Sequence, residues 1–230
     1  MRISLIILIL ANVWFGSCAQ RSKSRTSKAS IDTEVGDSTK DDYNKKSLSS
    51  GVDTHVYTDT LYPPATGKGI TIQNSLPKGG MIEPNGTQYA DSSGKRYAFA
   101  IFWTRIINET TTPLELDVNF PADSFAIFSP ADSYLKLFLP ADTLTWDKLS
   151  RFNYGITGLK PFLDRNFNKA TRLQRTIKPN EEHIFYIATL AYQASGTPRA
   201  ALFLQEQDLY YRMSVAPYGN GAIPCGKIVF

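Results

Sequence analysis

The stretch FPADSFAIFSPADSYLKLFLPADT, residues 120–143, repeats Pro-Ala-Asp followed by Ser or Thr, and so sets Asp123, Asp132 and Asp142 at nearly even spacing. Carboxylates can ligate calcium, and a pair of them can serve as acid and base in glycan hydrolysis. What they do here depends on the elements between them. Each intervening segment is about six residues long, or roughly 20 Å as a strand. In a meander, Asp132 then lies at the end opposite Asp123 and Asp142, and the three cannot converge on one metal. Asp123 and Asp142 would sit about two strand spacings apart, or ~10 Å. That is too wide for a retaining glycosidase pair and marginal for an inverting one. Proline cannot donate to a sheet ladder, and aspartate closes its own turn through its side chain. The repeat therefore reads as strand-to-turn punctuation. The alternative is a carboxylate-dependent hydrolase acting on glycans, with Asp123 and Asp142 as its pair.

Other reactive constellations are sparse. The two histidines, His55 and His183, share no metal-ligand spacing with cysteines, and no GxSxG elbow occurs. ATGKGI at 65–70 lacks the first glycine of a phosphate loop, since Tyr62 stands there, and Gly69 replaces the Ser/Thr. No cofactor and no metal are implied. A net charge of +4 supplies no broad basic field, which argues against nucleic acid as a partner. Cys225 reads as a small half-buried residue near the last strand. Asn85-Gly-Thr and Asn108-Glu-Thr match the glycosylation pattern but read as turns. Aromatic residues remain as the candidate ligand or partner contacts: Tyr97, Trp146, Tyr210 and Tyr211 offer flat faces to a sugar or a protein. Trp103 and Trp146 also suit a core. Tyr210 and Tyr211 are adjacent in a strand and so face opposite ways.

The chain opens MRISLIILILANVWFGSC: a basic Arg2, an apolar run, then small residues before Cys18. This is the order of a secretory signal, and the run is shorter than the ~20 residues of a membrane-spanning helix. FGSC resembles the lipobox of bacterial lipoproteins, with Gly16, Ser17 and Cys18 fitting and Phe15 departing from the usual aliphatic residue. The resemblance implies a signal peptide over 1–17, lipidation of Cys18, and a membrane partner reached through an N-terminal lipid anchor. Cleavage after Ala19 is the competing route. Residues 18–58 are rich in Ser, Thr, Lys and Asp and nearly free of large apolar side chains, which predicts a disordered polar tether. Arg21, Lys23, Arg25 and Lys28 follow the anchor directly, where anionic head groups would attract them.

Residues 59–230 are expected to form a single domain. RYAFAIFWTRII at 96–107 is apolar on both alternations, as a strand buried on two faces is. LELDVNF at 114–120 alternates strictly and predicts a half-exposed strand. GITIQN, SYLKLFL, RLQRTI, HIFYIATL, AALFL, DLYYRM and GKIVF supply further strands between turn residues. Leu159, Phe162, Leu163 and Phe167 lie at helical spacing, so a short helical insertion is expected around 143–168. The fold class is mainly β: an antiparallel β-sandwich with that insertion. INETTTPLEL and IKPNEEHIFYIATL resemble the strand–turn–strand grammar of immunoglobulin-like modules, without the cysteine pair of antibody domains. The whole resembles small bacterial envelope lipoproteins. That resemblance implies a cell-envelope address, facing periplasm or surface, and a non-enzymatic binding or structural module with an envelope protein or a glycan as partner.

Overall fold

The computed structural model describes residues 54–63, 68–126, 132–193, 196–215, 218–219 and 221–229. The proposed signal peptide, Cys18 and nearly all of the expected tether lie outside the described residues. The first strand, β1 (Val56–Tyr62), begins inside the segment expected to be tether. It is an edge strand with most side chains exposed, so it carries no apolar stripe to betray it.

The described strands form two antiparallel sheets. In chain order, β1 is followed by β2 (Ile70–Ser75), the short β3 (Lys78–Gly79) and β4 (Tyr89–Ala90), β5 (Arg96–Asn108), β6 (Leu114–Phe120), β7 (Phe125–Ala126) and β8 (Tyr134–Phe138). Next come α1 (Leu159–Asn166), β9 (Thr171–Ile177), β10 (Glu182–Tyr192), β11 (Pro198–Gln205), β12 (Asp208–Val215), β13 (Tyr218–Gly219) and β14 (Ile223–Val229). The first sheet runs β1-β2-β5-β10-β8-β7, with β3 and β4 also paired to β5. The second runs β11-β12-β14-β6-β9, with β13 on β12. The expected β-sandwich is present.

Three layers result, and β5 and β10 explain why. Ala100, Phe102 and Ile106 of β5 point between the sheets, as do Phe185 and Ile187 of β10. There they meet Leu114, Leu116, Val118 and Phe120 of β6, Leu202 of β11, and Leu209, Tyr211 and Met213 of β12. The opposite alternation, Tyr97, Phe99, Ile101 and Trp103 with Tyr186, Ala188 and Leu190, packs under the insertion. Doubly apolar sequence thus corresponds to a sheet covered on both faces.

The insertion comprises two 3₁₀ turns, Trp146–Lys148 and Phe152–Gly155, and then α1. Pro161 sits in the first turn of α1, where its missing N–H costs nothing. Leu159 and Leu163 share the buried face, with Phe162 and Phe167 packed beside them. Asn153, Tyr154 and Gly155 are all left-handed, with φ of 46°, 55° and 66°. Such strain, of order 1 kcal/mol per non-glycine residue, persists because the surroundings fix it. The Tyr154 hydroxyl donates to Leu76 O at 2.6 Å, and Tyr186 donates to Tyr154 O at 2.7 Å. Lys78 Nζ bridges Leu149 O (2.5 Å) and Arg151 O (2.7 Å) and stands 4.5 Å from the Tyr154 ring centroid.

Between the sheets, one amide replaces a strand. β11 ends its sheet, which leaves Leu202 N–H and C=O on an open edge. Asn74 of β2 takes both: its Oδ1 accepts from Leu202 N at 2.9 Å and its Nδ2 donates to Leu202 O at 3.0 Å. Thr104 Oγ1 donates to the same Oδ1, and Thr58 Oγ1 accepts from Nδ2.

The three Pro-Ala-Asp repeats do not divide a single meander. β6 belongs to the second sheet and β7 to the first, so the first repeat is where the chain crosses between sheets. Asp123 and Asp132 are exposed, and Asp132 borders residues outside the described set. Asp142 closes the insertion: its carboxylate accepts from Thr143 N at 2.8 Å and Thr157 N at 3.1 Å, with Lys148 Nζ at 3.4 Å. Both glycosylation-type motifs are turns, since Thr87 and Thr110 each donate N–H and hydroxyl to the Oδ1 of the asparagine two residues before. Asn108 is fully buried, so Asn85 is the accessible one of the two.

Cys225 is buried against Leu209 O, and burial pushes its thiol up to about 12. We expect an aromatic disulfide reagent to leave it unmodified in native protein at pH 8 and to titrate it in denaturant. Rapid native modification at Cys225 would contradict this packing. The denatured count also reports on Cys18: one titratable thiol if Cys18 is lipidated or removed by cleavage after Ala19, two if it is retained free.

Candidate ligand cleft

The four aromatic residues expected to face a ligand have different fates. Tyr211 is a core residue, 1% exposed, set edge-on to Phe120 at 5.5 Å, and is unavailable to a partner in this fold. It shares its alternation with Leu209, Met213 and Val215. Tyr210 lies on the outer face of the second sheet, stacked on Phe203 at 5.7 Å, with Arg212 over that ring. Trp146 is half-buried, perpendicular to Trp103 at 6.3 Å. Arg105 lies 5.0 Å from its ring centroid and is held in turn by Glu182 and by Gln73 Oε1 at 3.0 Å. Tyr97 is buried at the centre of a ring cluster, within 5.5–6.2 Å of Tyr89, Tyr134, Tyr192 and Phe167.

That cluster backs a cleft of about 450 Å³, within the range of small-molecule sites. Two segments distant in sequence build it. One is the turn between β4 and β5, where Tyr89 pairs with Tyr97 across the hairpin. Asp91 organises this turn: its Oδ1 accepts from Ser93 N (2.9 Å), Ser93 Oγ (2.6 Å) and Lys95 N (3.1 Å). Gly94, at φ 82°, allows the reversal. The other segment is α1 and the turn after it, which supply Lys160, Asp164, Phe167 and Asn168. Lys160 and Asp164 pair at 2.7 Å, one helical turn apart. Tyr89 and Phe167, nearly parallel at 6.2 Å, line the cleft where the two segments meet.

Its electrostatics are internally balanced. The Ser93 hydroxyl, with the Lys95 N–H and the Tyr97 hydroxyl, holds the Asp91 carboxyl below the usual carboxylate range. Burial, helped by Tyr134 and Asp91, pushes the Tyr97 hydroxyl far up. Burial, then the Asp164 charge, does the same for Tyr89. Both tyrosines therefore remain protonated donors. Lys95 stands 3.5 Å from the Tyr192 ring centroid and 5.0 Å from that of Tyr134, and its hydrogen bond to Tyr134 raises its own pKa. Behind Phe167, Lys136 donates to Ala122 O at 2.6 Å, and burial lowers its pKa.

Among the described residues, no three His, Cys, Asp or Glu side chains come together as a metal site. No described helix is long and apolar enough to cross a membrane. Comparison with known proteins finds no matching family model, no similar curated protein and no similar solved structure.

Of the cleft residues, sequence reading singled out only Phe167, as helix packing, and Tyr97 behind it. The available signals were the Asp-Ser-Ser-Gly turn at 91–94 and the Lys160/Asp164 spacing on a predicted helix.

Proposed function

We propose that this protein is a lipid-tethered, non-enzymatic binding module of the bacterial cell envelope. The observation that carries the binding role is the cleft between the β4–β5 turn and α1. It is walled by polar groups and lined by rings, and its carboxylates are fixed by neighbours rather than poised against one another. Asp142, one of the two carboxylates of the hydrolase alternative, already accepts from two backbone N–H groups and Lys148. The tether rests on FGSC at 15–18 and the polar segment after it. A flexible chain of that length has an r.m.s. span of roughly 35 Å, enough to present the domain away from the membrane, towards periplasm or surface. The immunoglobulin-like reading of the sandwich belongs to this proposal and rests on the strand–turn–strand windows.

Intact mass and fractionation test the tether. The full chain should extract only with detergent, lack residues 1–17 and carry acyl chains, while Cys18→Ser should move to the soluble fraction. A lipid-free mass beginning at Gln20 overturns it.

A further inference from the structure

We infer that the cleft takes a neutral polyhydroxylated ligand, a pyranose unit of an envelope glycan; this rests on the binding-module reading above. Three features select that chemistry. First, the charges cancel: Lys160 faces Asp164 at 2.7 Å, and Lys95 offsets Asp91. An anionic sugar would meet two carboxylates and a cationic ligand would meet Lys160, so neither gains net attraction.

Second, the rim carries both donors and acceptors. Asp164 is about half exposed and, beyond its bonds from Lys160 and the Tyr89 hydroxyl, keeps acceptor capacity for a ligand hydroxyl. Ser92, from the β4–β5 turn, and Asn168, from the turn after α1, add a hydroxyl and an amide, both exposed. A hydroxyl group donates and accepts at once, so a polyol satisfies such a rim where a purely apolar ligand would strand it.

Third, the half-buried Phe167 gives the C–H edge of a sugar ring an apolar contact, and it is held rigid by packing on the buried rings of Tyr89 and Tyr97. A site assembled on a hairpin and a helix is largely preformed, which lowers the ordering cost of binding.

Titration calorimetry with the full chain in detergent micelles tests this. The probes are neutral disaccharides of glucose, galactose and N-acetylglucosamine, a galacturonate disaccharide, and choline. We expect saturable binding of at least one neutral disaccharide, weakened about tenfold by Asp164→Asn, as loss of one charged hydrogen bond implies. Ser92→Trp should abolish it. Ser92 is exposed, so that variant blocks the rim without disturbing the core, and its circular dichroism should match wild type. No saturation by any neutral sugar overturns the inference. So does binding unchanged in Ser92→Trp, or tighter binding of galacturonate or choline. If Cys18→Ser still leaves the membrane while every sugar fails, the ligand class is wrong and the tether stands. If sugars bind but the chain carries no lipid, the reverse holds.

Discussion

Asn74→Leu lowers the unfolding free energy by about 4 kcal/mol. The side chain is 3% exposed and forms hydrogen bonds in both directions with the backbone of one residue of β11, Leu202. A leucine of similar volume leaves Leu202 N–H and C=O buried without their partner, and Thr104 without its acceptor. Each stranded group costs roughly 1–3 kcal/mol, and the added apolar contact offsets part of the sum. Asn74→Asp should cost nearly as much, because a carboxylate cannot donate to Leu202 O. Urea unfolding of the full chain, read by tryptophan fluorescence, measures this as a fall in midpoint at unchanged slope. A loss under 1 kcal/mol for both variants would show that the β11 edge does not depend on Asn74.

The same residue shows where the sequence was silent. Asn74 ends GITIQN, which reads as a strand, but nothing local says that its amide completes the edge of a strand some 128 residues away. What was legible had a local cause. The doubly apolar β5 announced a covered sheet, LELDVNF announced a one-sided strand, and Leu159, Phe162, Leu163 and Phe167 announced the helix that does the covering. The parity of Tyr211 with Leu209, Met213 and Val215 contained its burial. β1 was missed because an exposed edge strand is held by hydrogen bonds to β2, to which hydropathy is blind. The cleft was missed for a related reason. Its walls come from 89–92 and 160–168, and only the insertion's return across the first sheet brings them together. The evenly spaced aspartates stood out because they repeat, yet repetition came from turn chemistry: each marks the end of a segment, and Asp142 is occupied in closing a loop.

Trp103→Ala should cost about 4 kcal/mol and Trp103→Phe only about 1. The contrast between them carries the information. Trp103 is fully buried at the centre of β5, between the first sheet and the insertion, and Trp146 stands on it edge to face. Truncation to alanine opens a large cavity beneath two 3₁₀ turns, the second of them strained, that cannot collapse, because Lys78, Tyr154 and Tyr186 pin them. Phenylalanine keeps most of the ring volume. It also removes an indole N–H that is buried with no acceptor among the described residues, and deleting an unpaired donor recovers part of what the smaller ring loses. Both variants should abolish the near-ultraviolet circular dichroism of the perpendicular Trp103–Trp146 pair, so the optical change is shared while the stability change is not. Chemical unfolding of wild type and both variants decides it. If phenylalanine costs as much as alanine, the indole N–H is engaged in the native state, and the layer between sheet and insertion is held by that polar contact as well as by packing.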